Sequence, residues 1–90
     1  MDEIVLSKHA EEQIEARGIS ESDVWAVIRS PQQTLTEETE SDKVILQSIL
    51  KDEVGNEYLI RVFVNVVKNP KLVITVYRTS KINKYWQNES

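Results

Sequence analysis

The feature that most constrains the fold is a change of hydrophobic period near residue 32. Before it, apolar residues recur at the spacing of one helical face, as Ala10 with Ile14 and as Val24 with Val27 and Ile28. After it they alternate. The clearest run is Tyr58 to Val67, where Ile60, Val62, Val64 and Val66 form an apolar face and Leu59, Arg61, Phe63, Asn65 and Val67 a mixed one. Helices and strands that are each apolar on one side must bury those sides against each other, so the even face of this strand is assigned to the helices.

Local signals set the element boundaries. Asp2 to Leu6 reads as a short extended lead-in, and Ser7 as the N-cap of a helix over about Lys8 to Arg17, with Gly18 as its left-handed C′ residue. Ser20-Glu21-Ser22-Asp23 resembles a capping box with Asp in place of Glu. It opens a second helix, Glu21 to Arg29, which stops before Pro31; Trp25 is expected in the core. Gln33 to Glu38 reads as an edge strand, Glu37 to Asp42 as an acidic turn, and Val44 to Leu50 as the next strand. A turn containing Gly55-Asn56 leads into the long strand, and Lys68-Asn69-Pro70-Lys71 turns the chain back into Leu72 to Tyr77. Ser80 is expected to cap a last short helix through Trp86, with Tyr85 and Trp86 closing the end of the core. The expected fold is α+β: two N-terminal helices packed on a four-stranded antiparallel sheet, with a short C-terminal helix. One sheet face is left uncovered, and a binding site can lie there.

With 90 residues and 40% hydrophobic content, residues 1–90 make one domain with one core. The lack of Cys excludes a disulfide scaffold, a thiolate metal site and a cysteine nucleophile, and suits a reducing compartment, so a cytoplasmic location is expected. Met1 is followed by Asp2 and Glu3 instead of a basic, then apolar, leader, so neither a secretory signal nor a membrane partner is expected. The net charge of -4 conceals a strong asymmetry. Residues 1–57 carry 14 acids against five bases, whereas residues 58–88 carry Arg61, Lys68, Lys71, Arg78, Lys81 and Lys84 and no acid. If those cations share a face, it attracts phosphate; the alternative is a set of solvated strand edges guarded by lysine.

Two clusters carry candidate chemistry. His9 is the only histidine, and His9, Gln13 and Arg17 fall on one stripe of the first helix. That stripe could line a cleft, or His9 could bond locally while Arg17 caps carbonyls at the helix end. On the last strand Thr75, Tyr77 and Thr79 alternate on one face with Val73, and Arg78 points the other way unless a bulge intervenes. Tyr77 with Lys81 or Lys84 could hold a phosphate and assist proton transfer, and Arg61 could add a cation; equally, these are ordinary strand and turn residues. Clustered metal ligands, a Gly-rich phosphate loop and a nucleophile elbow are all missing from the sequence, so no metal or cofactor is expected.

Ser7-Lys8-His9-Ala10, then Arg17-Gly18-Ile19-Ser20, then Val73-Ile74-Thr75-Val76-Tyr77 resemble the HA, RGIS and TVY pattern of a small bacterial family of unknown function. That family looks related to BrnT-like and RelE-like toxins, which set two N-terminal helices on an antiparallel sheet and cleave RNA without metal. The resemblance implies a metal-independent RNA-cleaving toxin of a toxin-antitoxin system. It implies His9, Arg17 and Tyr77 as catalytic positions. Arg61, Thr75, Arg78, Thr79, Lys81 and Lys84 are then the candidates for holding RNA phosphate. The partners implied are RNA and a cognate antitoxin docking on the basic sheet face, and a homodimer is compatible with the sequence. The alternative is a non-enzymatic module that uses the same face to bind a protein or a nucleic acid.

Overall fold

In the computed structural model, residues 3–37 and 40–87 are described. The chain runs β1 (Ile4–Leu6), α1 (Lys8–Ala16), α2 (Glu21–Arg29), β2 (Gln33–Glu37), β3 (Glu40–Lys51), β4 (Glu57–Asn65), β5 (Lys71–Thr79) and α3 (Ile82–Tyr85). It is an α+β fold with three helices and a five-stranded mixed sheet in the order β1-β5-β4-β3-β2.

The sheet departs from the expected four antiparallel strands at its first edge. The apolar lead-in Ile4-Val5-Leu6 is itself a strand and pairs parallel with β5, Leu6 opposite Val73. The other pairings are antiparallel, and β2 forms the far edge as its polar sequence suggests. Part of the acidic segment expected to turn, Glu40 to Asp42, belongs instead to β3, because Glu40 pairs with Glu37 of β2 and Asp42 O accepts from Val66 N at 2.9 Å just beyond β4. The rest of that turn, residues 38 and 39, lies outside the described residues.

Alternation on β4 works as the period requires. Ile60, Val62 and Val64 are buried against Ala10 and Ile14 of α1 and Val24 and Val27 of α2, joined by Leu46, Val73 and Val76. Burying a side chain of this size contributes about 1.5–3 kcal/mol, so this layer is the main adhesive between helices and sheet. Ser7 caps α1 as expected, its Oγ accepting from Ala10 N at 3.0 Å. At the other end Gly18 (φ 62°) permits Ile19 N to donate to Ile14 O at 2.9 Å and turns Ile19 into the core.

Three local expectations are corrected. The Ser20 capping box does not form: Ser20 Oγ pairs with Ser22 Oγ, and Asp23 Oδ2 accepts from Tyr58 OH at 2.9 Å instead. Trp25 is only half-buried, with Nε1 3.4 Å from Glu21 Oε1, because Val24 and Val27 already fill the inward face of α2. Lys81, not Ser80, occupies the N-cap position of α3, and Thr79 Oγ1 accepts from Lys81 N. No helix among the described residues is long and apolar enough to cross a membrane.

Candidate functional site

The two candidate clusters lie at different places. Because β1 ends at Leu6, the outer edge of β5 beyond Val73 has no strand beside it, and its backbone groups need other partners. Side chains from α1 and its cap provide them. Ser7 N donates to Val73 O at 3.0 Å, and Ser7 Oγ reaches Ile74 O at 3.4 Å. Gln13 Oε1 accepts from Val76 N at 3.0 Å, and Arg17 Nη1 donates to Val76 O at 3.3 Å. The predicted stripe therefore exists as a surrogate strand, with Gln13 and Arg17 closing the edge. His9 is exposed at the first turn of the same stripe.

A register irregularity at Phe63/Val64 decides which face the rest of β5 presents. Val64 faces Val73 while Phe63 faces Thr75, so Ile74 is the extra residue. Val73 therefore sits in the core and not with Thr75, Tyr77 and Thr79 as strict alternation predicts. Thr75, Tyr77 and Thr79 register with Phe63, Arg61 and Leu59 of the open face. Arg78, opposite Ile60, lies on the helix side, where its guanidinium stacks 3.7 Å from the Tyr58 ring centroid.

On the open face Arg61 is the centre of a polar and aromatic network. It is 8% exposed and Gln47 beneath it is fully buried. Arg61 Nε donates to Gln47 Oε1 at 2.9 Å and Nη1 to Tyr77 OH at 2.6 Å. Gln47 Nε2 donates in turn to Gln33 Oε1 at 2.8 Å and to Tyr85 O at 3.3 Å. Three rings surround the guanidinium carbon: Tyr85 at 4.4 Å from its centroid, Phe63 at 5.3 Å and Tyr77 at 5.6 Å. Such stacking offsets part of the desolvation of the cation. No carboxylate of the described residues pairs with Arg61, and Nη2 makes none of the hydrogen bonds found among them. Arg61 borders an open cavity of about 470 Å³ with Thr34, Thr36, Ile45 and Gln87.

The open face is thus not bare. Residues 80–87 cross it from the end of β5 to β2, where Gln33 clasps Gln87 through both backbone groups (Nε2 to O, 2.6 Å; N to Oε1, 3.1 Å). Tyr85 consequently packs on this face and does not close the core, its ring edge-on to Tyr77 at 5.8 Å. The two phenols are displaced in opposite directions. Burial pushes Tyr77 above the ordinary value of 10.0, against the pull of Arg61. The interaction with the Tyr77 hydroxyl holds Tyr85 below it, helped by Lys84 and Arg61. Lys81 and Lys84 stand on the other flank of α3, beside a second cavity of about 590 Å³.

The structure thus gathers Arg61, Tyr77 and, alongside, Thr75, Thr79 and the α3 lysines, and it leaves His9, Arg17 and Arg78 elsewhere. Gln33, Gln47 and Tyr85 fall outside the sequence-derived candidates. Gln47 has a readable signal, since it interrupts the apolar run Val44 to Leu50 at a position of the same parity as the open face. Among the described residues, no three His, Asp or Glu side chains gather as a metal-ion site.

A family model described as Domain of unknown function (DUF4258) matches residues 6–78. The chain belongs to the DUF4258 family. No curated protein and no solved structure matches the chain. The DUF4258 stretch takes in His9, Arg17, Arg61 and Tyr77, and α3 with Tyr85 follows it.

Proposed function

We propose that this DUF4258 chain is a metal-independent RNA-cleaving toxin whose working surface is the open sheet face, with a cognate antitoxin as the protein that covers it. One observation carries the reading: two phenols in edge contact beside a buried guanidinium that bonds one of them, stacks on the other and has no carboxylate partner among the described residues. Divergent acidity of neighbouring groups separates an acid from a base. Tyr85, the phenol that gives up its own proton more readily, is the one placed to act as base, taking the proton of a ribose 2′-hydroxyl. The 2′-oxygen then attacks phosphorus, the bond to the 5′-oxygen breaks, and Tyr77 is placed to protonate that leaving oxygen, giving a 2′,3′-cyclic phosphate and a 5′-hydroxyl. Arg61, at the border of the cavity beside Thr34 and Thr36, supplies positive potential for the charge that develops on the phosphoryl oxygens. Thr75 and Thr79 flank Tyr77 on β5, and Lys81 and Lys84 add positive charge.

A second reading, a non-enzymatic binding module, is favoured by Arg17. The cation that the resemblance makes functional donates to the Val76 carbonyl and holds a strand edge. Cleavage of single-stranded RNA in EDTA separates the readings. Tyr85→Phe and Tyr77→Phe should each lower the rate by about 10²–10⁴-fold, while His9→Ala, at an exposed position, should stay within a few-fold. If His9→Ala alone abolishes cleavage, the chemistry lies at the α1 edge instead. If the folded wild type binds RNA and never cuts it, the binding module replaces the nuclease.

A further inference from the structure

The cavity on the far flank of α3 combines features that nothing above uses. Lys81, Asn83, Lys84 and Trp86 line it together with Ile49 and Glu57 at the ends of β3 and β4. Trp86 is half-buried and lines the cavity, and its backbone N is bonded to Ile82 O at 2.8 Å in the closing turn of α3. Lys81 and Lys84 are exposed. Glu57 is the one carboxylate in the lining against two ammoniums, so the cavity is net cationic, and it also offers an acceptor for a base amino group. The cavity is joined to Arg61 through one ring: Lys84 Nζ lies 5.4 Å from the Tyr85 centroid and Arg61 Cζ 4.4 Å from the same centroid.

We propose that this cavity is a nucleotide subsite, in which an unpaired base stacks on Trp86 while Lys81 and Lys84 hold its phosphate. The proposal rests on the open face being an RNA-binding surface, and it adds the substrate class. An indole wall is usable only by a base that has left its helical stack, so the ligand is single-stranded.

The test uses the full chain carrying Trp25→Phe, so that Trp86 is the sole indole, and hexadeoxyadenylate, which lacks the 2′-hydroxyl and cannot be cut. Saturable quenching of Trp86 is expected, with affinity falling about tenfold in Lys81→Ala/Lys84→Ala, in the range set by losing the two ammoniums that hold one phosphate. The slope of log affinity against log salt should fall by about 0.7 in that variant, since the two lysines hold one phosphate of a single strand. A base-paired hairpin should quench far less. Absence of quenching, quenching unchanged in the double variant, or equal quenching by the hairpin each overturns the subsite. RNA cleavage measured in parallel keeps the two proposals apart. Cleavage without quenching removes the subsite alone, and quenching without cleavage leaves the subsite standing while removing the nuclease.

Discussion

Replacing Arg61 by Met tests the centre of the open face directly. The substitution relieves the desolvation of a cation that is 8% exposed, and it also removes the bond to Gln47 Oε1 at 2.9 Å and the bond to Tyr77 OH at 2.6 Å. Bonds to a charged group are worth roughly 1.5–3 kcal/mol each, but the cost of burying the charge, several kcal/mol, offsets most of that. What remains is the orphaned carbonyl oxygen of Gln47, which is fully buried and has no water to turn to. Leaving such a group unpaired costs about 1–3 kcal/mol. Arg61→Met should therefore be destabilised by about that amount, or roughly 4–20 °C in Tm for a chain of this size. Adding Gln47→Leu removes the orphan as well. Gln33 Oε1 still accepts from Gln87 N, so the double variant should recover part of the loss, with a coupling of about 1–2 kcal/mol. Urea denaturation of wild type, both single variants and the double variant measures this cycle, and RNA cleavage should be lost whenever Arg61 is absent. Additive effects, with coupling below about 0.5 kcal/mol, would refute the claim that Arg61 and Gln47 act as one unit. Full activity in Arg61→Met would refute its role toward phosphate.

Further outcomes follow from the same contacts. Tyr77→Phe removes the hydroxyl whose interaction depresses Tyr85, so the Tyr85 phenol should titrate closer to 10.0, read as an alkaline shift in phenolate absorbance at 295 nm or so. Because burial raises Tyr58 and Tyr77 above 10.0, their contribution to stability is intact below that pH and is lost as pH rises through their folded values, so urea stability should decline above about pH 10 and Tyr58→Phe should flatten the decline. Gln13→Ala leaves Val76 N without its acceptor and should cost about 1–3 kcal/mol, with faster amide exchange at Val76 than at Val62.

The boundaries of α1 and α2 to within a residue, the caps at Ser7 and Gly18, the inward face of β4 and the edge position of β2 were all legible in the sequence. Each follows from local periodicity or from the φ requirement of a single residue. The extended form of Ile4 to Leu6 was legible but its parallel pairing into the sheet was not, since that depends on the free edge of β5. The same holds for the bulge at Ile74, which no local rule places and which removes Val73 from the face of Tyr77.

For the candidate site, sequence alone determined that basic residues gather after residue 57 and that Arg61 sits on the less apolar parity of its strand. Only the tertiary structure decided which of the cations is buried. Arg61 lies under the segment that crosses from β5 to β2, and Tyr85 of that segment covers it, although the two residues are 24 positions apart in the chain. Arg17 and Tyr77 separate for the complementary reason. A side chain beside a strand end that has lost its neighbour bonds to the backbone, whereas one that projects from the sheet meets whatever crosses that face. Neither circumstance is written in the residues themselves, because both depend on where distant segments pass.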